Sequence, residues 1–420
     1  FEALRATTAS RPAPFRVGRD GMSLGEGAGV VALVREADLD GRPARFFVSG
    51  FGASADAVHV TAPDRTGGGL TRAGRAALDM AGAESGDAFL VSAHATATPF
   101  NDAMESRALA ALFGEREPVV HPMKAQIGHA LGAAGVLETL AIAGALAHGV
   151  APAAAGEGEL DPDAPAHLLE VAAPSSARAA LKLSAAFGGA NAALVIEPPE
   201  SASRASTRSR RPAYLGALAR VTGADVEVVA RATGIEPDKV ARLDALSLLA
   251  ATAAARLEPR PGAGAGVIVG HALATVDINE RFYARVLARG PTAAEPRLFP
   301  PTSPNLVAGQ LGILFSWTGP GAAIASGPGG AIDPLAIART LVEGGIADEI
   351  VVVAVDVLGP CSTAIRDGAF AGDETIADGA VAVVVTASPT GRDPLVLPAS
   401  LEVSGFGHVA LARVVEGLTR

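Results

Sequence analysis

Three short loops in the first half of the sequence hold the residue types that could do chemistry. They span residues 91–99, 124–129 and 184–191, and the stretch after the second loop carries a carboxylate. The candidate residues are His94, Thr96, Thr98, Lys124, His129, Glu138, Phe187, Gly188 and Gly189. Imidazole, ammonium and hydroxyl groups can donate hydrogen bonds to negative charge that develops during a reaction. Taken singly, however, each loop is better explained by a buried histidine or an ordinary glycine turn.

The elements around these loops alternate between strands and helices. Residue 91 ends an apolar run, and β-branched runs at 266–269 and 350–355 predict further buried strands. Apolar residues at helical spacing predict helices over 70–80, 131–146 and 332–342. The alternation predicts an α/β fold in which sheets are layered with helices.

Composition and charge narrow the classes of protein to which this chain can belong. A chain of 420 residues is long enough for two or three domains. Although 49% of the residues are hydrophobic, no apolar run reaches the roughly 18 residues of a membrane span, so we expect none. A net charge of −10, with a basic cluster at 204–211, disfavours nucleic-acid binding but permits local docking of an acidic protein partner. One cysteine excludes an internal disulfide framework and indicates the reducing cytoplasm.

A Ser-, Arg- and Pro-rich segment at 198–211 predicts an exposed linker between residues 1–197 and residues 212–420. Both parts carry the same three landmarks: Arg-Asp-Gly, an acidic residue followed by Gly-Ala and a Val-rich strand, and Ser-Gly-Phe-Gly. These fall at 19–21, 26–28 and 49–52 in the first part and at 366–368, 378–380 and 404–407 in the second. The first copy of the repeat lies near the start of the first part, and the second copy lies near the end of the second part. We therefore expect the back half of one unit followed by the front half of a related unit, with sequence upstream of Phe1 missing, removed or on another chain.

Together the three loops resemble the C-terminal half of the β-ketoacyl synthases of the thiolase-like superfamily. That family carries His-Gly-Thr-Gly-Thr, Lys-x-x-x-Gly-His and Phe-Gly-Phe-Gly-Gly-x-Asn loops in this order and at similar separations. The resemblance covers residues 1–197 almost continuously. It implies a thiolase-like α-β-α-β-α fold, here as two half-units joined by a linker. It also implies an acyltransferase that performs the decarboxylative Claisen condensation of malonyl-carrier protein with an acyl thioester, in fatty acid or polyketide synthesis.

The resemblance also implies a role for each candidate in catalysis. His94 and His129 would be neutral imidazoles that donate to the thioester oxygen as carbon dioxide leaves. Lys124 would lie behind them and hold them, with Glu138 as its ionic partner. No cofactor or metal would be bound, because the phosphopantetheine is carried by the acyl carrier protein.

The remaining candidates would contact the substrate. By resemblance, the pantetheine arm is bound by two threonines, and a gate beside the nucleophile is formed by a phenylalanine and two glycines: Thr96, Thr98, Phe187, Gly188 and Gly189. This sequence departs from the family pattern at four places. Ala95 and Ala97 replace glycines where the arm should pass, and Ala185 and Ala186 replace a Phe-Gly pair next to the gate.

Residues 212–407 resemble, more loosely, the N-terminal half of the same family. There the catalytic cysteine stands eight residues after the proline of a Gly-Pro pair, a position that is Pro328 in this sequence. Proline has no nucleophilic atom. Cys361 lies beyond the next strand, and we interpret it as a small buried residue. Loss of the nucleophile is typical of chain-length-factor subunits, the inactive partners in type II polyketide synthases.

Three interpretations follow from the sequence. In the first, the chain is part of an active condensing enzyme in a hetero-oligomer, and a ketosynthase N-terminal half on another chain or segment supplies the cysteine. In the second it is a decarboxylase of malonyl-carrier protein, and in the third a scaffold or chain-length determinant without chemistry. We prefer the first, because a scaffold does not need both histidines and the lysine, and half a fold leaves an open sheet edge.

Overall fold

A computed structural model describes residues 6–83, 89–200, 210–290, 294–327, 330, 332–397 and 405–418. The chain divides into two compact units. Unit 1 comprises Phe1–Ser54, Ala62–Ala186 and Asn191–Thr207, and unit 2 comprises Ala55–Thr61, Phe187–Ala190 and Arg208–Arg420. Two short segments expected in the first part thus pack with unit 2. None of the helices in the described ranges has the length and apolar character needed to cross a membrane.

Unit 1 is built on a mixed β-sheet with the strand order β1-β7-β6-β2-β3. The strands of the unit are β1 (Phe47–Ala55), β2 (Phe89–Ser92), β3 (Val119–His121), β4 (Val150–Ala151), β5 (Ala173–Pro174), β6 (Ala179–Ala185) and β7 (Ala190–Glu197), of which β4 and β5 form a separate ribbon. Its helices are α1 (Gly68–Ala81), α2 (Pro99–Phe113), α3 (Lys124–Ile127) and α4 (Ala134–Ala147). Strand β2 runs parallel to β3 and β6, while β6 and β7 are antiparallel.

Helices cover both faces of this sheet because successive strand residues point to opposite sides. Phe89 and Val91 pack in one apolar cluster with α1 and α2. Leu90, between them, packs in a second cluster with Ile142 and Leu146 of α4. The loop that follows β2 therefore begins from a strand that is held on both sides.

Unit 2 has a sheet of the same type, in the order β10-β9-β11-β12-β8. Its strands are β8 (Tyr214–Val221), β9 (Gly266–His271), β10 (Gly321–Ala325), β11 (Glu349–Asp356) and β12 (Gly379–Thr386). Its helices are α5 (Val226–Thr233), α6 (Pro237–Val240), α7 (Ala245–Ala255), α8 (Val276–Arg289), α9 (Leu306–Phe315), α10 (Ile332–Glu343), α11 (Pro360–Ala369) and α12 (Gly407–Leu418). Strands β9, β10 and β11 are parallel, and β12 lies antiparallel to both β11 and β8.

The β-branched residues of β11 again divide the core between the two faces of the sheet. Val351 and Val353 pack with α7 and α9, whereas Ile350 and Val352 pack with α10 and α12. A strand buried on both faces reads as a continuous apolar run, which is why the sequence alone marks it.

The α/β class and the elements predicted at 70–80, 131–146, 266–269, 332–342 and 350–355 are confirmed, with helix α4 preceded by a 3-10 turn at Leu131–Ala133. The second loop begins as the helical turn α3 rather than as irregular chain. Of the predicted linker, residues 201–209 lie outside the described residues.

The Val-rich strand expected after residues 26–28 is a wrong prediction. Residues 25–35, all of which the structure describes, form no strand, and Val30 is 92% exposed. The corresponding stretch of the second copy is β12, which lies between β8 and β11. A strand needs neighbours to satisfy its backbone N–H and C=O groups, and no described strand lies beside residues 25–35.

Candidate active site

Neighbouring strands of the unit 1 sheet bring three of the candidate side chains together. His94 lies two residues beyond β2, and Lys124 begins α3, which follows β3. Since β2, β3 and β6 are parallel, their carboxyl ends meet at one edge of the sheet. Helix α4, which packs on β2 and β6, places Glu138 beside this edge.

His94 and His129 form a perpendicular pair whose ring centroids are 5.6 Å apart, with an interplanar angle of 86°. The backbone N–H of Leu131 donates to His129 Nδ1 at 3.2 Å. Lys124 Nζ lies 3.4 Å from His94 Nδ1. In a neutral imidazole, the nitrogen that accepts a hydrogen bond carries no proton, so the proton is on the other nitrogen. Both rings are thus arranged to present Nε2–H as a donor.

The backbone on both sides of His129 is fixed against the segment 23–25. The His129 N–H donates to Ser23 O at 2.8 Å, and Gly25 N–H donates to His129 O at 3.1 Å. A Cβ on Gly25 would come within 2.2 Å of Ile127 O, and one on Gly128 within 2.8 Å of Gly25. These glycines allow the two backbones to approach closely enough to hold the ring.

Lys124 is buried among the atoms that it positions. Its Nζ donates to Glu138 Oε1 and to the carbonyl oxygen of His94, both at 2.6 Å. The expected pairing of Lys124 with Glu138 is therefore present in the structure. A second ammonium, Lys182 Nζ, lies 2.6 Å from Glu138 Oε2. Lys182 is not among the residues predicted from the sequence, although a lysine inside the apolar run 179–183 is a signal that could have drawn attention to it.

Glu105 is a further buried carboxylate that was not predicted from the sequence. It lies on α2, where Oε1 accepts from the His94 N–H at 2.6 Å and Oε2 accepts from the Ala95 N–H at 2.7 Å. A carboxylate that receives two backbone N–H groups fixes the peptide that carries the imidazole. The sequence gives little indication that Glu105 belongs to the site, because an acidic residue on a helix is usually exposed.

The surroundings keep both imidazoles uncharged. Burial lowers the pKa of His94 well below its usual 6.5, and the charges of Lys124 and Lys182 lower it further. Burial and Lys124 lower the pKa of His129 to about 4. Burial and the neighbouring Lys182 lower the pKa of Lys124 to about 8, against the opposing effect of Glu138. At neutral pH the pair therefore consists of two neutral N–H donors beside an ammonium group.

The threonine loop places two alanines in a backbone conformation that favours glycine. Ala95 and Ala97 have φ values of 42° and 57°, in the left-handed region that favours glycine. Thr96 Oγ1 and Thr98 Oγ1 are 2.9 Å apart and hydrogen-bonded to each other. Both hydroxyls lie within four residues of His94, on the loop that carries it.

The first landmark of the repeat anchors the start of α2. Arg19 donates to Pro99 O at 3.3 Å, and its Nε lies 3.5 Å from Asp102 Oδ2. Asp102 also accepts from the Phe15 N–H at 2.9 Å. Burial raises the pKa of this carboxyl to about 6. Arg19, the first residue of the triplet, thus has a structural task next to the threonine loop.

The structure groups Phe187–Ala190 of the third loop with unit 2. Phe187–Gly189 forms a 3-10 turn in which the carbonyl oxygen of Phe187 accepts from Asn305 Nδ2 at 2.6 Å. The Phe187 ring packs edge-on against Phe299, and a Cβ on Gly309 would come within 2.5 Å of Gly188. The predicted position of the lost nucleophile, Pro328, lies outside the described residues.

Cys361 is half-buried in the first turn of α11, rather than fully buried as expected. Its N–H donates to Asp277 Oδ1 at 2.8 Å, so the Asp277 carboxylate caps the start of this helix. Among the described residues, no group of three or more His, Cys, Asp or Glu side chains could hold a metal ion.

Comparison with known proteins places these residues in a family context. The model of the family "Beta-ketoacyl synthase, C-terminal domain" matches residues 46–156, the range that contains His94, Lys124, His129 and Glu138. The chain is 37% identical over 191 residues to the mitochondrial 3-oxoacyl-[acyl-carrier-protein] synthase of Arabidopsis thaliana, covering 44% of this chain and 41% of that protein. It is 36% identical over 202 residues to nodulation protein E of Rhizobium meliloti, covering 47% of this chain and 50% of that protein. The chain therefore spans half or less of these relatives' length.

A solved structure described as "PfaC Keto synthase-Chain length factor" is similar over 91% of this chain and 52% of its own, with a TM-score of 0.70 and 18% identity. At that identity the likeness concerns the fold, and it confirms the predicted thiolase-like architecture. The sequence matches cover the histidine loops, and the structural match extends over most of the chain. Residues 46–156 thus match the C-terminal domain of the β-ketoacyl synthases, and the chain shares the fold of a ketosynthase–chain length factor structure.

Proposed function

We propose that this chain contributes the histidine side of a β-ketoacyl synthase active site. The reaction is the decarboxylative condensation of malonyl-acyl carrier protein with an acyl thioester, in fatty acid or polyketide synthesis. The observation that carries the proposal is the pair His94 and His129, in which both Nδ1 atoms face a donor and both Nε2–H groups are free to donate. The name of the Arabidopsis thaliana relative, a 3-oxoacyl-[acyl-carrier-protein] synthase, supports the same reaction.

The chemistry needs two neutral donors at one oxygen. When the bond between the malonyl methylene carbon and its carboxylate breaks, carbon dioxide leaves and the electron pair moves into the thioester as an enolate. The Nε2–H groups of His94 and His129 would stabilise the negative oxygen. The enolate carbon then attacks the acyl carbonyl carbon, and the collapsing intermediate expels a cysteine thiolate, which takes up a proton from solvent. Neutral imidazoles suit this task because they donate without transferring a proton.

In this proposal the cysteine comes from a ketosynthase N-terminal half that is not part of this sequence. Supporting this, Val30 and Leu33 are 92% and 80% exposed although they belong to an apolar stretch. Exposed apolar segments with unpaired backbone are typical sites of association. The assembly would be a hetero-oligomer that receives its substrates from acyl carrier protein, with phosphopantetheine brought by the carrier and contacted by Thr96 and Thr98. Phe187, with Gly188 and Gly189, would be the gate beside the cysteine.

Unit 2 would be a non-catalytic, chain-length-factor-like partner. The support is the resemblance that puts Pro328 at the nucleophile position, and the likeness to the PfaC structure, whose name joins a ketosynthase with a chain length factor. The histidine pair also permits decarboxylation without a cysteine, so malonyl-carrier protein decarboxylation is the second candidate function.

The test measures carbon dioxide release from malonyl-carrier protein and product formation, with a ketosynthase N-terminal half supplied. His94→Ala and His129→Ala should each reduce decarboxylation by about 10²–10³-fold, the usual cost of one oxyanion donor. Acyl transfer onto the supplied cysteine should survive, because nucleophilic attack is a separate step. His148→Ala, at an exposed histidine on the C-terminus of α4, is the matched control.

Decarboxylation near the wild-type rate in either active-site variant would show that the two histidines are structural. Decarboxylation without condensation, even with the cysteine supplied, would favour the second candidate function.

A further inference from the structure

Two of the three lysines in this sequence meet on one carboxylate. The chain has 34 basic residues, and almost all of them are arginines. Lys124 Nζ lies 2.6 Å from Glu138 Oε1, and Lys182 Nζ lies 2.6 Å from Glu138 Oε2. All three side chains are at most 3% exposed. Lys239, the third lysine, is exposed on α6.

Lys182 is held at this place by its strand. It lies on β6, in register with Ser92 at the end of β2, two residues before His94. Its Nζ donates to Ser184 Oγ at 3.1 Å and to the carbonyl oxygen of Leu183. With the Glu138 carboxylate at ion-pair distance, the ammonium has three polar neighbours. The Lys182 side chain is therefore held by specific polar contacts and does not merely fill space in the core.

A simple ion pair does not require this second lysine. Lys124 and Glu138 already balance each other, and burying another charge is costly unless it is compensated. Glu105, from α2, is the other carboxylate facing Lys124, and burial raises the pKa of this group to about 7. Near neutral pH the cluster thus carries between zero and one net positive charge. The remaining titratable neighbours are His129 and, from β3, the buried His121.

We propose that Lys182 is a positioning residue that shares Glu138 with Lys124, orients the Lys124 ammonium against His94, and keeps a second positive charge beside the imidazole pair. Each carboxylate oxygen of Glu138 is paired with one ammonium group. Lys182 on β6 and Lys124 on α3 therefore fix the orientation of the carboxylate together. Lys124 is then aimed at the carbonyl oxygen and Nδ1 of His94. The Lys182 charge lowers the pKa of both histidines and of Lys124.

The consequence for turnover rests on the proposed function, but the electrostatic coupling can be measured without it. Lysine labelled with ¹³C at Cε gives one NMR signal per residue, and three lysines make assignment by substitution simple. In the wild-type full chain, the Lys124 signal should titrate near pH 8. In Lys182→Met it should titrate at least about one pH unit higher, because a neighbouring positive charge no longer opposes protonation.

Two further variants make this result specific. Lys182→Arg retains the charge and should keep the Lys124 midpoint near the wild-type value. Lys239→Met removes an exposed, distant lysine and should change nothing. Lys182→Met leaves Glu138 paired with Lys124, so we expect it to fold; Lys182→Gln is the alternative if circular dichroism shows otherwise. The proposal is overturned if, in folded Lys182→Met or Lys182→Gln, the Lys124 midpoint stays within 0.3 pH units of the wild-type value (about a third of the shift that a neighbouring charge produces).

Activity gives a second readout with a definite sign. Loss of the Lys182 charge raises the pKa of the histidines and of Lys124, so both limbs of the decarboxylation pH profile should move up by about one unit. A purely structural role would lower the rate equally at every pH, and that outcome also contradicts the proposal. If the wild-type assembly does not decarboxylate malonyl-carrier protein, the proposed function fails, while the lysine titration still decides the role of Lys182.

Discussion

Residues 26–34 and 378–386 are two copies of one sequence pattern with opposite structural outcomes. In unit 2 the pattern is strand β12, antiparallel to β11 and β8, and Val385 is fully buried. In unit 1 the same pattern forms no strand, and Leu33, at the position of Val385, is 80% exposed. The first copy keeps contact on one side, since a Cβ on Gly27 would come within 2.7 Å of Leu137 on α4.

The difference shows that an apolar, β-branched pattern does not make a strand by itself. Strand propensity mostly measures packing on a pleated surface with neighbours in place. Unit 2 contains the neighbours of its copy, β8 and β11, and the described part of unit 1 does not. We therefore interpret residues 26–34 as a segment whose strand neighbours belong to the proposed ketosynthase N-terminal half.

The largest expected difference between the two copies is in the loss of stability when a charge is placed at matched positions. Val385→Asp buries a carboxylate between α10 and α12 in the sheet of unit 2 and should destabilise the protein by about 3–5 kcal/mol, the cost of an uncompensated buried charge. Leu33→Asp should change the free energy of unfolding by less than about 0.5 kcal/mol, as for other exposed positions. Denaturant titration measures both. Equal losses would mean that residue 33 is buried in solution.

The same exposed position should become important once the proposed partner is present. With a ketosynthase N-terminal half added, Leu33→Asp should weaken association by about 100-fold, because the carboxylate would enter a paired, apolar sheet (about 3 kcal/mol). Val171→Asp, at a site that is 78% exposed and outside the repeat, is the matched control. Isothermal titration calorimetry reports both affinities. Equal binding by the two variants would remove the segment from the interface.

The smallest expected effect concerns alanines with positive φ after equivalent strands. Ala95 follows β2 in unit 1, and Ala274 follows β9 in unit 2, with φ values of 42° and 51°. Ala274→Gly should stabilise the protein by about 0.5–1 kcal/mol, because glycine adopts this conformation without strain. Ala95→Gly should be close to neutral, since the fully buried methyl group that it loses contributes about 0.8 kcal/mol. Thermal unfolding distinguishes them, and a clear stabilisation by Ala95→Gly would show that its methyl group packs poorly.

Much of the candidate site could be predicted from the sequence because residue type and spacing carry it. Loops whose order and composition match a known family predict His94, Lys124, His129 and Glu138, and the structure brings these four side chains together. Buried strands such as β11 can also be predicted from the sequence, since a strand covered on both faces is apolar throughout.

Other features depend on the tertiary structure. Lys182 and Glu105 join the site because β6 lies next to β2 and because α2 turns back over the loop that carries His94. Neither contact follows from spacing along the chain. The exposure of Val30, Leu33 and Val34 is likewise invisible in a pattern that forms a buried strand elsewhere in the same molecule. Sequence determines which side chains are available and which segments favour a strand or a helix. The neighbours that the folded chain provides decide which charges are paired and which strands form, because ion pairs and strand hydrogen bonds both join residues that are distant in sequence.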